Sequence, residues 1–105
     1  MLLSTPHARA VAALRFRALG DETRLRILDA LAGGELCVSD LTDRTGLGQS
    51  LVSHHLHTLR AAGLVTVSRE GRWAYYVLAP TAFDAARDVL DALEPDGRFD
   101  PPSSD

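Results

Sequence analysis

Gln49, Ser50, Ser53, His54 and His57 are the residues of this 105-residue chain with the most to say about chemistry. They fill the positions left over when Leu51, Val52, Leu56 and Leu59 are assigned to the packed side of one helix. Amide, hydroxyl and imidazole groups in an outward row are the groups that read base edges. A glutamine pairs with adenine through two hydrogen bonds, a serine donates or accepts, and a histidine meets guanine or phosphate. Their place in the first turns of the helix suits insertion into a major groove. Arg60, at the far end, is placed for the DNA backbone, as are Arg69 and Arg72 on either side of a hairpin tip. Solubilising an exposed loop is the alternative role for that last pair.

A second candidate group is Cys37 with Asp40. The single cysteine excludes an internal disulfide and fits a reducing compartment. A thiol at a helix start is biased toward thiolate, which suits metal binding, oxidation or persulfide chemistry, and equally a small apolar filler. Asp40 in the same first turn suits ligation or a capping and dipole role. His54 and His57 share a face but lack a carboxylate or thiolate companion, so they read as DNA-facing rather than metal-binding. His55 turns toward Leu51 and Leu59 and reads as packed and hydrogen-bonded. Ser53 and His54 are neighbours on a helix and diverge, which excludes a hydrolytic pair and, with it, an enzyme.

These groups need a scaffold. Apolar spacing predicts a first helix over Ala8 to Leu19 with Val11 and Leu14, ended by Gly20. A second is expected from an Asp21 cap to about Ala32, with Leu25, Leu28 and Leu31 on one face. A third runs over Val38 to Thr45, stopped by Gly46, and the fourth over Gln49 to Ala62, stopped by Gly63. Leu64 to Glu70 and Trp73 to Leu78 read as a hairpin with Gly71 and Arg72 at its tip and Trp73, Tyr75 and Tyr76 anchoring its strands. A fifth helix starts at Pro80 or Thr81 and carries Phe83, Ala86, Leu90 and Leu93 to about Glu94. The fold class is mainly α with a small β-hairpin: a winged helix-turn-helix of five helices and a two-stranded wing. Residues 1–94 form the DNA-binding and dimerisation domain, and 95–105 a disordered tail.

Composition agrees. The net charge is −3, but residues 44 to 72 carry four arginines against Glu70, a net of +3, while residues 79 to 105 carry a net of −5. The positive stretch coincides with the helix-turn-helix and wing, where phosphates would lie. With neither a membrane-length apolar run nor a signal peptide, a cytoplasmic location is expected. A core this small favours a second subunit, and apolar Val11, Leu14, Phe83, Ala86, Leu90 and Leu93 offer the face it would cover. A winged helix that binds only protein is the rival reading.

The stretches FRALGDETRLRILDALAGGELCVSDL, SLVSHHLHTLRAAGLV and GRWAYYVL together resemble the ArsR/SmtB family of metal-responsive bacterial repressors over about residues 14 to 80. The resemblance implies a homodimer through the first and last helices that holds an inverted-repeat operator in double-stranded DNA until an inducer releases it. It also implies inducer ions of the Zn, Cd, Pb or As(III) kind. Arsenic-sensing relatives carry ELCVCDL, whereas this chain has ELCVSDL: Ser39 and Thr42 stand where the other thiolates would be, so a three-thiolate site cannot form within one chain. A second family site would use Cys37 and Asp40 with His7 from the other subunit's N-terminal arm, one ligand short of four. A third, on the last helix, needs histidine, and Asp84, Asp88 and Asp91 have none beside them. A redox or organic inducer, or none, is the alternative.

Overall fold

The first helix begins at a proline, Pro6. In the computed structural model, which describes residues 2–93 and 95, α1 spans Pro6–Leu19, with Thr5 Oγ1 accepting the Ala8 N–H at 3.1 Å. Proline at the first position sacrifices only an N–H that has no helical partner. The expected start at Ala8 is therefore two residues late.

The helix α2 spans Glu22–Leu31 and is capped by Asp21, whose carboxylate accepts the Arg24 N–H at 3.0 Å. A two-residue strand, β1 (Leu36–Cys37), leads directly into α3 (Val38–Thr45), and α4 follows over Gln49–Ala61. The hairpin is β2 (Val65–Glu70) and β3 (Trp73–Leu78), and α5 covers Pro80–Ala92. Five helices and the antiparallel hairpin are as expected, but β1 adds a third strand. The sheet order is β1-β3-β2, with Leu36 opposite Tyr76 and Cys37 opposite Tyr75. Two residues are too few to show a period of two, which is why the sequence gives no warning of it. The tail expected from residue 95 lies outside the described residues except for Pro95.

The core is built from Ile27, Leu28 and Leu31 of α2, Leu41 of α3, Val52, Leu56 and Leu59 of α4, and Leu64 and Val65 at the start of the wing. Three expected contributors are elsewhere: Leu25 is 51% exposed, Leu51 43% and Trp73 54%. Ile27 is fully buried and sets the inner face of α2; Leu25, two residues away, is rotated by about 200°. Leu51 is likewise one step, about 100°, from Val52.

The apolar face expected on α1 and α5 divides in two. Ala86 is buried and Phe83 packs on the core, while Leu14, Leu90 and Leu93 remain exposed. The second group, with half-buried Val11 on α1, is what remains for another subunit.

Gly46 joins α3 to α4 at φ +73°, its N–H donating to Thr42 O at 2.9 Å. An added Cβ there meets nothing within 4 Å, so alanine is strained by its backbone alone. We expect Gly46→Ala to cost about 1–2 kcal/mol, and Gly46→Asn less. Equal urea midpoints for all three proteins would refute this.

Candidate nucleic-acid interface

The inner row of α4 decides what its outer row can do. Val52, His55, Leu56 and Leu59 are buried, and this leaves Gln49, Ser50, Ser53, His54, His57 and Arg60 all exposed. Five of these side chains end in groups that hydrogen-bond a base edge or phosphate, and Arg60 is a fixed cation in the last turn. Leu51 joins them on the exposed side, so a methyl-bearing surface lies beside the polar row, suited to a thymine methyl. Gln49 also borders a notch of about 140 Å³ with Val38, Ser39 and Thr42, where the heads of α3 and α4 meet.

The turn that aims α4 is tied down. The Arg26 guanidinium donates to Thr45 O at the end of α3, and Thr45 Oγ1 accepts the Leu47 N–H at 3.3 Å. Carbonyls at a helix end lack internal partners, so a cation there both satisfies one and opposes the dipole. Sequence reasoning missed Arg26, because nothing in its spacing distinguishes it from a solvated arginine.

On the wing, Gly71 at φ +60° takes the first place of a two-residue turn, with Glu70 paired to Trp73 across it. Glycine in that place fits the II′ turn, whose twist matches the strands. Arg72 takes the second place of that turn, rather than flanking it, and Arg69 lies on β2 opposite Ala74; both are exposed. Trp73 is not an anchor: it is 54% exposed beside Arg72, whereas Tyr75 is half-buried and Tyr76 packs against the core.

Cys37 is half-buried at the N-cap of α3. Asp40 Oδ2 accepts both the Cys37 N–H and the Cys37 Sγ–H, each at 3.2 Å. The thiol hydrogen bond, followed by the amide, holds the Asp40 carboxyl below its ordinary range. Asp40 therefore caps α3, and it does so with the oxygen that touches the thiol. His7 lies apart from this pair, on α1, in a cleft of about 270 Å³ shared with Val11, Arg15 and Asp88. Among the described residues no three of His, Cys, Asp and Glu converge on a point. One chain thus brings together two of the three expected ligands, half of a four-donor zinc shell.

Similarity to known proteins places this arrangement. A profile described as "bacterial regulatory protein, arsR family" matches residues 21–67. The transcriptional repressor SmtB homolog of Synechocystis sp. is 45% identical over 80 residues, 75% of this chain and 61% of that protein. An uncharacterized HTH-type transcriptional regulator of Methanocaldococcus jannaschii is 44% identical over 80 residues, 75% of this chain and 86% of its own. The structure of HlyU from Vibrio cholerae superposes with a TM-score of 0.70 at 36% identity, over 85% of this chain and 97% of that one. The homodimeric winged helix-turn-helix DNA-binding domain of a possible ArsR-family regulator from Mycobacterium bovis gives 0.69 at 33% identity, over 88% and 90%. With a winged helix-turn-helix whose α4 turns a polar row outward, and relatives matched over most of its length, the chain belongs to the ArsR family of bacterial regulatory proteins.

Proposed function

We propose that this chain is a sequence-specific DNA-binding repressor that acts as a homodimer on an inverted-repeat operator, with α4 as its recognition helix and residues 1–94 as its working domain. The observation that carries the reading is the outer row of α4, exposed over a buried inner row, together with exposed Arg69 and Arg72 on the wing. Exposed Leu14, Leu90 and Leu93 supply the face for the second copy, on the helices expected to pair. Two recognition helices related by a twofold axis would read half-sites about 34 Å apart, one turn of DNA.

The test is binding to DNA from the protein's own upstream region over a salt series. Counterion release makes log K fall linearly with log salt, by about 0.9 per phosphate contact. Arg72→Ala should lower that slope by about one contact while changing affinity evenly across sequences. Trp73, the chain's one tryptophan, provides an internal reporter beside Arg72. Its emission should shift on DNA and its quenching by acrylamide should weaken. A salt-insensitive complex with Trp73 unaltered would favour the protein-binding rival.

For the inducer, the finer proposal is a thiophilic or borderline metal ion sensed through Cys37 and Asp40, with His7 of a second copy. Its support is the 3.2 Å contact of thiol and carboxylate. Against it stands the donor count, since one chain holds only that pair. Adding Cd(II) or Pb(II) should raise a sulfur charge-transfer absorption in the wild type and none in Cys37→Ser. Identical spectra would remove metal sensing and leave the DNA-binding reading untouched.

A further inference from the structure

We propose that Arg24 and His55 form a latch between the end of α1 and the recognition helix, with Arg24 as a positioning residue for DNA binding, and that the latch opens when His55 takes up a proton. The inference rests on the DNA-binding reading above.

All three guanidinium nitrogens of Arg24 are engaged. Nε donates to Ala18 O at 2.7 Å, Nη2 to Arg17 O at 3.2 Å, and Nη1 reaches His55 Nδ1 at 3.3 Å. The first two acceptors are carbonyls in the last turn of α1, and the third is a ring on the inner face of α4. One side chain from the head of α2 thus ties the helix expected to carry the dimer to the helix expected to enter the groove. The fork is rigid and planar, so it fixes a geometry that a single ammonium could not.

His55 is 8% exposed, and the only other buried polar side chain among the described residues is Thr45. An arginine N–H can only donate, so Nδ1 must carry its lone pair and the ring proton must be on Nε2. Protonation removes that acceptor and sets two cations against each other. Burial first of all disfavours the charged ring, Arg24 and His54 add to that, and Asp21 opposes it. These are the charged groups that act on the ring, two from the head of α2 and one from α4 itself. The folded ring therefore binds its proton at lower pH than the unfolded one. Below the ordinary imidazole value of about 6.5 the unfolded chain holds more protons, so stability falls as pH drops through that window.

The experiment compares wild type with His55→Asn, whose amide oxygen stands in for Nδ1 and does not titrate. Anisotropy on the upstream DNA is read between pH 8 and pH 5.5 at constant salt. Near pH 8 the two should bind alike. At pH 5.5 the wild type should be the weaker by about tenfold, the scale of ordinary coupling between sites. A ratio that stays flat with pH overturns the latch. Arg24→Lys should weaken binding at every pH and flatten the profile. A parallel NMR titration of the wild type follows the Arg24 Nη–H groups and the His55 ring nitrogens without DNA. Loss of a slowly exchanging Arg24 Nη–H in step with Nδ1 protonation supports the latch, and its persistence overturns it. That arm also decides the matter if the variant does not fold. Should neither protein bind DNA at any pH, the repressor reading fails, and the NMR result alone judges the latch.

Discussion

Leu56→Ala should lower the free energy of unfolding by about 2–5 kcal/mol, a large share of the 5–15 kcal/mol typical of a domain. Leu56 is 1% exposed and belongs to the cluster that joins α2, α3, α4 and the first residue of β2. Removing its branched end forfeits the transfer energy of the lost carbons and leaves a cavity that rigid neighbours fill poorly. Ile27, Leu31, Leu41 and Leu59 surround the same core and are each at most 2% exposed. Leu51→Ala, on the same helix but 43% exposed, should change stability by less than about 0.5 kcal/mol. Urea titrations of the two variants check the pair. Similar losses in both would mean that Leu51 packs inside, as the sequence pattern first suggests.

Gln49→Ala should cost about 1–3 kcal/mol of operator affinity and relax the preference at a single base pair in each half-site. Gln49 is exposed in the first turn of α4, and its two-ended amide suits adenine. Truncating it removes base readout but no phosphate contact. The salt dependence should therefore be unchanged, unlike that of Arg72→Ala. Binding measured on a set of operators altered one base pair at a time separates the outcomes. An even loss across all of them would assign Gln49 to the backbone instead.

Much of this was readable from residue order because the punctuation is strong. Asp21 caps α2, and Gly46 and Gly63 end α3 and α4 at positive φ, so three boundaries fall where the sequence puts them. Because α4 starts at Gln49 as expected and ends within one residue of the expected Ala62, its outer row followed, and all the DNA-facing candidates are exposed. What escaped was of two kinds. Leucines 25 and 51 satisfy a helical spacing that two overlapping faces share, and only the neighbouring elements choose between them. Arg24, Arg26 and β1 depend on partners distant in sequence: Arg24 on His55, Arg26 on Thr45, and Leu36 on Tyr76. No local pattern reports such a partner. The Cys37–Asp40 contact lies between these cases, since the capping spacing was visible but not that the same oxygen would take the thiol.

The short strand β1 has a consequence for how the chain folds. By pairing with β3, the middle strand of the sheet, it closes a loop that contains α3, α4 and β2 in full. The helix-turn-helix is thus enclosed in a ring whose clasp, Leu36 against Tyr76, forms only once the entropy of closing that loop is met. Its two DNA-facing parts should consequently open together in hydrogen exchange, and a chain cut before Trp73 would lose the clasp along with the wing.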